Sequence, residues 1–265
     1  MTKNTTIQKP KKDKMFWIRT AISAVILLFL YYIALTTTDL TYRGSTLSPG
    51  ALLQRLFWNP FFDDAVLEKV PEYIGYMVET LAIAYGGAVI GAILAIPFGF
   101  LAASNITKFS YIGKWILNAI RAFPEVMFAI IFVAAVGMGP FAGVLAIGIN
   151  SIGMLGKLYS EVIESIDMSV LESFKANGAG RLQTIWYGVI PQIIPEFASY
   201  AIYRYEIDVR SSTVLGVVGA GGIGTPLIIA AMQRSWERVG MMLIIIIVVV
   251  SVIDFISSRI RRRLV

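Results

Sequence analysis

The chain has 265 residues, 57% of them hydrophobic and 15% charged, with a formal net charge of +6. Soluble domains run to about 45–50% apolar and about 25% charged, so this composition excludes an ordinary soluble globule and a disordered chain, as does the mean hydropathy of +0.72. With no cysteine and no histidine, disulfide scaffolds, thiolate or imidazole metal sites and histidine-based catalysis are excluded as well, which leaves a polytopic, all-α membrane protein.

Residues 1–15 read as a basic arm with Lys3, Lys9, Lys11, Lys12 and Lys14, and residues 260–265 as a basic tail beside Arg259. Lys/Arg clusters next to apolar runs mark cytoplasmic helix ends and attract anionic membrane lipid. The sequence pI of 9.5 is therefore orientation charge rather than a nucleic-acid footprint. Residues 16–35 supply a first span whose one charge, Arg19, can snorkel to the interface. The arm is too polar and the apolar run too long for a cleaved signal peptide, so the helix is expected to stay. Residues 36–73 form an extracytoplasmic loop with Pro49, Pro60 and Pro71.

Residues 81–103 carry no charge and form a second span. Residues 126–156 are also uncharged but too long for one helix, and Gly137-Met138-Gly139-Pro140 divides them. A third span over 115–136 and a fourth over 141–158 follow. A polar stretch separates these from a fifth span over 190–213 and a last over 239–258. Residues 214–232 are uncharged and could be another span. Their glycines and Pro226 argue instead for a re-entrant or interfacial piece. Six spans place both basic termini in the cytoplasm, in keeping with the Lys/Arg bias.

The polar stretch contains Glu172-Ser173-Phe174, then Gly178, and later Gly188-Val189-Ile190-Pro191. A short amphipathic helix here can lie in a groove of a soluble partner, with Leu171 and Phe174 as anchors. Gly178 ends it sharply, and Pro191 fits the first turn of the next helix. Here the chain resembles the transmembrane subunit of type I ABC importers, whose loop reads Glu-Ala-Ala, three residues, Gly, nine residues, Ile, one residue, Leu-Pro. Glu172, Gly178 and Pro191 keep that spacing, while Ser173, Phe174, Gly188 and Ile190 depart from it. The resemblance implies a transmembrane domain over 74–259 with a coupling loop over 160–190 in the bacterial cytoplasmic membrane. It also implies an ABC ATPase dimer beneath, an extracytoplasmic solute-binding protein docked on the 36–73 loop, and a second permease copy. No cofactor is implied. The chain has no Gly-x-x-x-x-Gly-Lys-Ser/Thr loop, so a separate subunit must hydrolyse ATP.

Arg204, Glu206, Asp208, Arg210, Ser211, Ser212 and Thr213 lead into Gly219, Gly221, Gly222 and Gly224. With Arg121-Ala122-Phe123-Pro124-Glu125, this stretch is similar to phosphonate-importer permeases, whose cargo is phosphonate, with phosphate and phosphite as relatives. Two readings of the charges stand. Arg204–Asp208 and Glu206–Arg210 are four apart and can pair on a helix. Alternatively Arg210 and the three hydroxyls line the outer half of a path for an oxyanion, which a guanidinium fork suits. The glycines can offer backbone N–H groups to an anion or let helices approach closely. Arg121 and Glu125, also four apart, can pair or form a gate. Methionine or another small amino acid is the alternative cargo. An intramembrane enzyme or a channel would need no ATPase.

Overall fold

The computed structural model describes residues 14–38 and 48–264. The basic arm up to residue 13, residues 39–47 of the first loop, and the side chains of Lys14 and Arg181 lie outside the described residues. The chain divides into two units, residues 1–48 and 49–265. In the first, α1 (Lys14–Thr37) is about 36 Å long at ~1.5 Å per residue, enough to cross a bilayer. Its hydroxyls donate to carbonyls one turn back, Thr20 to Phe16 at 2.8 Å and Thr37 to Ile33 at 2.7 Å. These threonine hydroxyls are therefore satisfied within the helix, as an apolar medium requires.

The second unit runs α2 (Pro49–Phe57), a tight turn at Asn59–Phe61, α3 (Asp64–Leu67), α4 (Val70–Ala102), α5 (Ser110–Ala122), α6 (Glu125–Val136) and α7 (Pro140–Ser165). It continues with α8 (Met168–Ala176), α9 (Arg181–Gln183), which passes through a wide turn at Thr184–Val189 into α10 (Ile190–Leu215), then α11 (Gly224–Met232) and α12 (Trp236–Arg261). Element boundaries depart from the expected ones in two places. The expected loop over 36–73 contains α2 and α3, and α4 begins at Val70 rather than near residue 81. The helix after the Gly-Pro turn continues past 158 to Ser165.

The centre of the unit is α4 packed on α7 through small residues. Gly87, Gly91, Ala95 and Gly99 recur every four residues along one stripe of α4 and are all buried. A Cβ at Gly87 would stand 2.5 Å from Ile147, one at Gly99 2.8 Å from Tyr159, and one at Gly91 would run into Ser151. Small residues at this spacing let two backbones touch, which is how helices associate where burial from water offers no driving force.

The expected third span over 115–136 is not one helix. α5 and α6 meet at 81°. Pro124 has no N–H and pushes Phe123 out of the helical region, to φ −91° and ψ 129°. Residues 214–232 are not a span either, because α11 has nine residues, about 13 Å of helix against a hydrocarbon core of ~30 Å. Among the described residues four helices are long and apolar enough to cross a membrane, and the bent α5–α6 pair would make a fifth. α10 is long enough at 26 residues but carries five charged side chains.

Candidate functional site

α8 and the turns around it form one end of the second unit. Asp167 caps α8, its carboxylate accepting from the Ser169 N–H at 2.9 Å. Hydrogen bonds from the Ser169 hydroxyl and N–H hold its carboxyl below the usual aspartate range. At the other end Gly178 takes φ +76°. The Ala179 N–H donates to the Phe174 carbonyl and the Gly178 N–H to that of Lys175, closing the helix in a Schellman motif. Pro191 lies in the first turn of α10.

The two expected anchors do not point outward. Leu171 is buried with Ile163, Val189, Ile193 and Phe197, and the half-buried Phe174 ring lies against Gly188. α8 turns this face to its own unit because α7 and α10 offer an apolar seat there. The Tyr159 and Phe197 rings stack within that seat at 3.8 Å. The apolar groups left exposed at this end are Met168, Leu182, Trp186 and Tyr187, beside exposed Glu172. The adjacent Trp186-Tyr187 pair in a polar stretch was the available signal for them.

α10 carries two ion-pair systems on opposite faces, since positions two apart on a helix point about 200° apart. On one face Arg204, 4% exposed, lies 2.7 Å from Asp208 and 3.4 Å from Glu125 of α6. The Arg204 Nε donates to the Ser151 hydroxyl at 2.8 Å, and Ser151 donates to Asp208 at 3.0 Å. Asn150 donates to Glu125 at 2.8 Å. One guanidinium thus serves the buried Asp208 and the partly buried Glu125 and ties α6, α7 and α10 together. Glu125 does not pair with Arg121, because the bend at Pro124 removes the helical four-residue relation. Among the described residues Arg121 makes no ion pair.

On the opposite face Arg210 bridges Glu206 at 3.0 Å and Asp254 of α12 at 2.6 Å, and Arg261 reaches Glu206 at 3.0 Å. These pairs fix the register of α10 against α12. Arg210 sits beside Asp254, toward the basic end of α12. With the half-exposed Arg210 guanidinium, Ser211, Glu125 and Val126 line a cavity of about 260 Å³. The neighbouring hydroxyls turn elsewhere. Ser212 is buried and donates to the Thr80 carbonyl, and Thr213 donates to Val209 on its own helix.

The glycine run closes the other end of α10. Gly219, Gly221 and Gly222 have φ of +86°, +85° and +74°, which only glycine adopts without strain. The N–H groups of Gly222 and Ile223 are taken by the Glu79 carboxylate at 3.0 Å and the Thr80 hydroxyl at 2.8 Å, so they are not free for an anion. A Cβ at Gly216 would stand 2.6 Å from Gly224, so these two glycines serve close packing. Beside the turn, Tyr76, Glu79, Gly139 and Thr225 help line a cavity of about 270 Å³.

Residues 95–265 match the family described as binding-protein-dependent transport system inner membrane component. Phosphite transport system permease protein PtxC of Stutzerimonas stutzeri is 38% identical over 201 residues, covering 72% of this chain and 73% of that protein. Phosphate-import permease protein PhnE of Mycolicibacterium smegmatis is 39% identical over 191 residues, covering 71% of this chain and 36% of that protein. The fold is like that of the MetNI methionine ABC transporter in its inward-facing conformations, with a TM-score of 0.65 at 20% identity over 77% of this chain and 99% of that one. The chain belongs to the binding-protein-dependent transport system inner membrane components. It is a permease subunit of an ABC importer, a family that works with a solute-binding protein and a separate ATPase.

Proposed function

We propose that this inner membrane component passes a phosphonate-type oxyanion (phosphonate, phosphate or phosphite) across the bacterial cytoplasmic membrane by alternating access, paired with a second permease copy. The observation that carries the cargo is the 38% identity to a phosphite permease over 72% of the chain. The likeness to a methionine transporter, at 20% identity, speaks for the fold alone.

In this reading the transport domain covers 74–259, with the coupling loop at 160–190, and six crossings put both termini in the cytoplasm. α1, α4, α5–α6, α7 and α12 supply five of the crossings. α10 with the glycine turn and α11 supplies the remaining one, its charges paired inside the protein as charges at membrane depth require. The register favours this arrangement. Glu206 pairs with Arg261, so α10 from residue 190 to 205 extends beyond the end of α12 on the side of the basic cluster. In this reading α8 stands clear of the bilayer on the cytoplasmic side, within reach of the ATPase. Arg210 and Ser211 then stand at the inner mouth, where a guanidinium can meet a departing oxyanion. Irregular backbone within the bilayer needs protein or a water-filled cavity around it, and the cavity beside Gly219–Gly222 meets that need on the pathway.

Reconstitution with the ATPase and binding protein tests the reading. Uptake of labelled phosphite, phosphate or methylphosphonate should require ATP and all three components. Glu172→Arg should abolish it while the permease still inserts, and Arg210→Ala should slow it with the complex still assembled. Uptake of methionine but of no phosphorus oxyanion would overturn the cargo. Normal uptake by Glu172→Arg would overturn the role of the loop.

A further inference from the structure

We infer that α2 and the turn after it form an interfacial anchor, seated in the headgroup layer of the membrane leaflet opposite the Arg259–Arg263 cluster. The amphipathic α2 turns Leu56 inward, and a Cβ at Gly240 of α12 would collide with the Leu56 backbone. Outward stand Leu53 and Phe57, followed by Trp58, Phe61 and Phe62. Trp58 is 64% and Phe62 72% exposed, and their rings lie 5.7 Å apart. A row of apolar side chains in water would be costly, so something covers them.

Depth identifies the cover. The segment from Gly240 to Ser258 is about 27 Å long at ~1.5 Å per residue, close to the ~30 Å hydrocarbon core. Arg259, Arg261, Arg262 and Arg263 follow at one boundary. Leu56, held against Gly240, therefore lies at the other boundary. The exposed flank of α12, including Ile247, Val248 and Val252, faces lipid, and the aromatic row stands at the far end of the same helix. Tryptophan at this depth prefers the interface, and the neighbouring phenylalanines supply apolar area for the acyl boundary beneath it. Arg55, whose side chain is 44% exposed, pairs with Glu237 of α12 at 3.8 Å, a solvent-accessible ion pair of the kind the headgroup layer accommodates. At the end of the row Phe62 borders, with Asn59, Asp63, Asp64 and Glu237, a polar cavity of about 530 Å³, so the water boundary falls between Phe62 and the two aspartates. The inference rests on membrane insertion of this chain and is independent of the cargo.

The chain has no cysteine, so single labels are unambiguous. Nitroxides at Trp58→Cys, Phe62→Cys, Leu53→Cys and Asp64→Cys would be read in the assembled transporter, in phosphatidylcholine–phosphatidylglycerol nanodiscs. Collisions with oxygen should exceed those with a water-soluble nickel chelate at residues 53, 58 and 62, and the order should invert at residue 64. Adding the binding protein should leave the first three unchanged. Nickel-dominated collisions at 58 and 62 would overturn the anchor. So would protection that arises only when the binding protein is added, which would make the row a protein-docking face. If an aromatic variant fails to insert, the label at residue 53 decides between the same outcomes.

Discussion

Arg204 and Arg210 lie on one helix, six residues apart, yet replacing each by methionine should have very different consequences. Arg204 is 4% exposed, and its partners Asp208 and Glu125 are 0% and 13% exposed. Methionine would leave the buried Asp208 and the partly buried Glu125 without their cation, and breaking a buried pair such as Arg204–Asp208 from one side costs about 3–5 kcal/mol. Against a total stability of about 5–15 kcal/mol, that is a large fraction. Arg210 is half exposed, and solvent screens its pairs, so its loss should cost at most about 1 kcal/mol. The decisive comparison adds Arg204→Met/Glu125→Gln/Asp208→Asn, in which no charge remains to be compensated. Such replacements are often neutral in stability. Thermal unfolding of purified protein in detergent, followed by tryptophan fluorescence, reads all three. Arg204→Met should unfold far earlier than wild type, Arg210→Met close to it, and the triple variant should recover most of the loss. Equal shifts for the two single variants, or a triple variant no better than Arg204→Met, would refute the view that one guanidinium holds this part of the bundle together.

Three further outcomes follow from local geometry. Asp167 has a folded-state pKa below its ordinary value of 3.8, so its cap is fully present above that value and fades as pH falls through the lowered one. Exchange of the Ser169 amide, corrected for its intrinsic rate, should rise in that acid range, whereas Asp167→Ala should show fast exchange already at neutral pH. Gly178→Ala forces a side chain into the left-handed region at a cost of about 1–2 kcal/mol, which should lower ATP-linked uptake without lowering expression; unchanged uptake would mean the turn is not needed for coupling. Gly91→Val would drive its side chain into Ser151, overpacking the α4–α7 contact by about 1–3 kcal/mol, visible as a lowered melting temperature.

What could be read from the sequence was what depends on neighbours within a few residues. The Gly178 stop, Pro191 in a first turn, and the Arg204–Asp208 and Glu206–Arg210 pairs all follow from one-turn spacing, and all appear in the structure. The Gly87, Gly91, Ala95, Gly99 stripe has an equally local four-residue repeat, but only its packing on α7 singles it out within an uncharged span. Arg121–Glu125 fails under the same rule because Pro124 destroys the helix that the rule assumes. Leu171 was ambiguous by nature: an apolar face on a short helix looks the same whether it seats on its own protein or on a partner. The position of Arg210 was beyond local reasoning, since it depends on how far α10 is offset along α12. Only the long-range pairs to Asp254 and Arg261 reveal that offset.

The offset also shows how movement at α8 can reach the charge cluster. Leu171 of α8 shares a core with Tyr159 of α7 and Phe197 of α10, and the two rings stack face to face. Arg204 and Ser151 lie about two turns further along the same two helices and are joined by a hydrogen bond. α7 and α10 are therefore fastened twice, by an apolar contact near α8 and by a buried ionic one above it. A push on α8 should move both helices as a pair and act on Glu125 and α6. Leu171→Ala loosens the lower fastening by removing about 2–5 kcal/mol of packing without touching Arg204. In the reconstituted transporter ATP hydrolysis should continue while cargo moved per ATP falls. If that ratio is unchanged, movement reaches α6 by another route, and the apolar seat of α8 is only a scaffold.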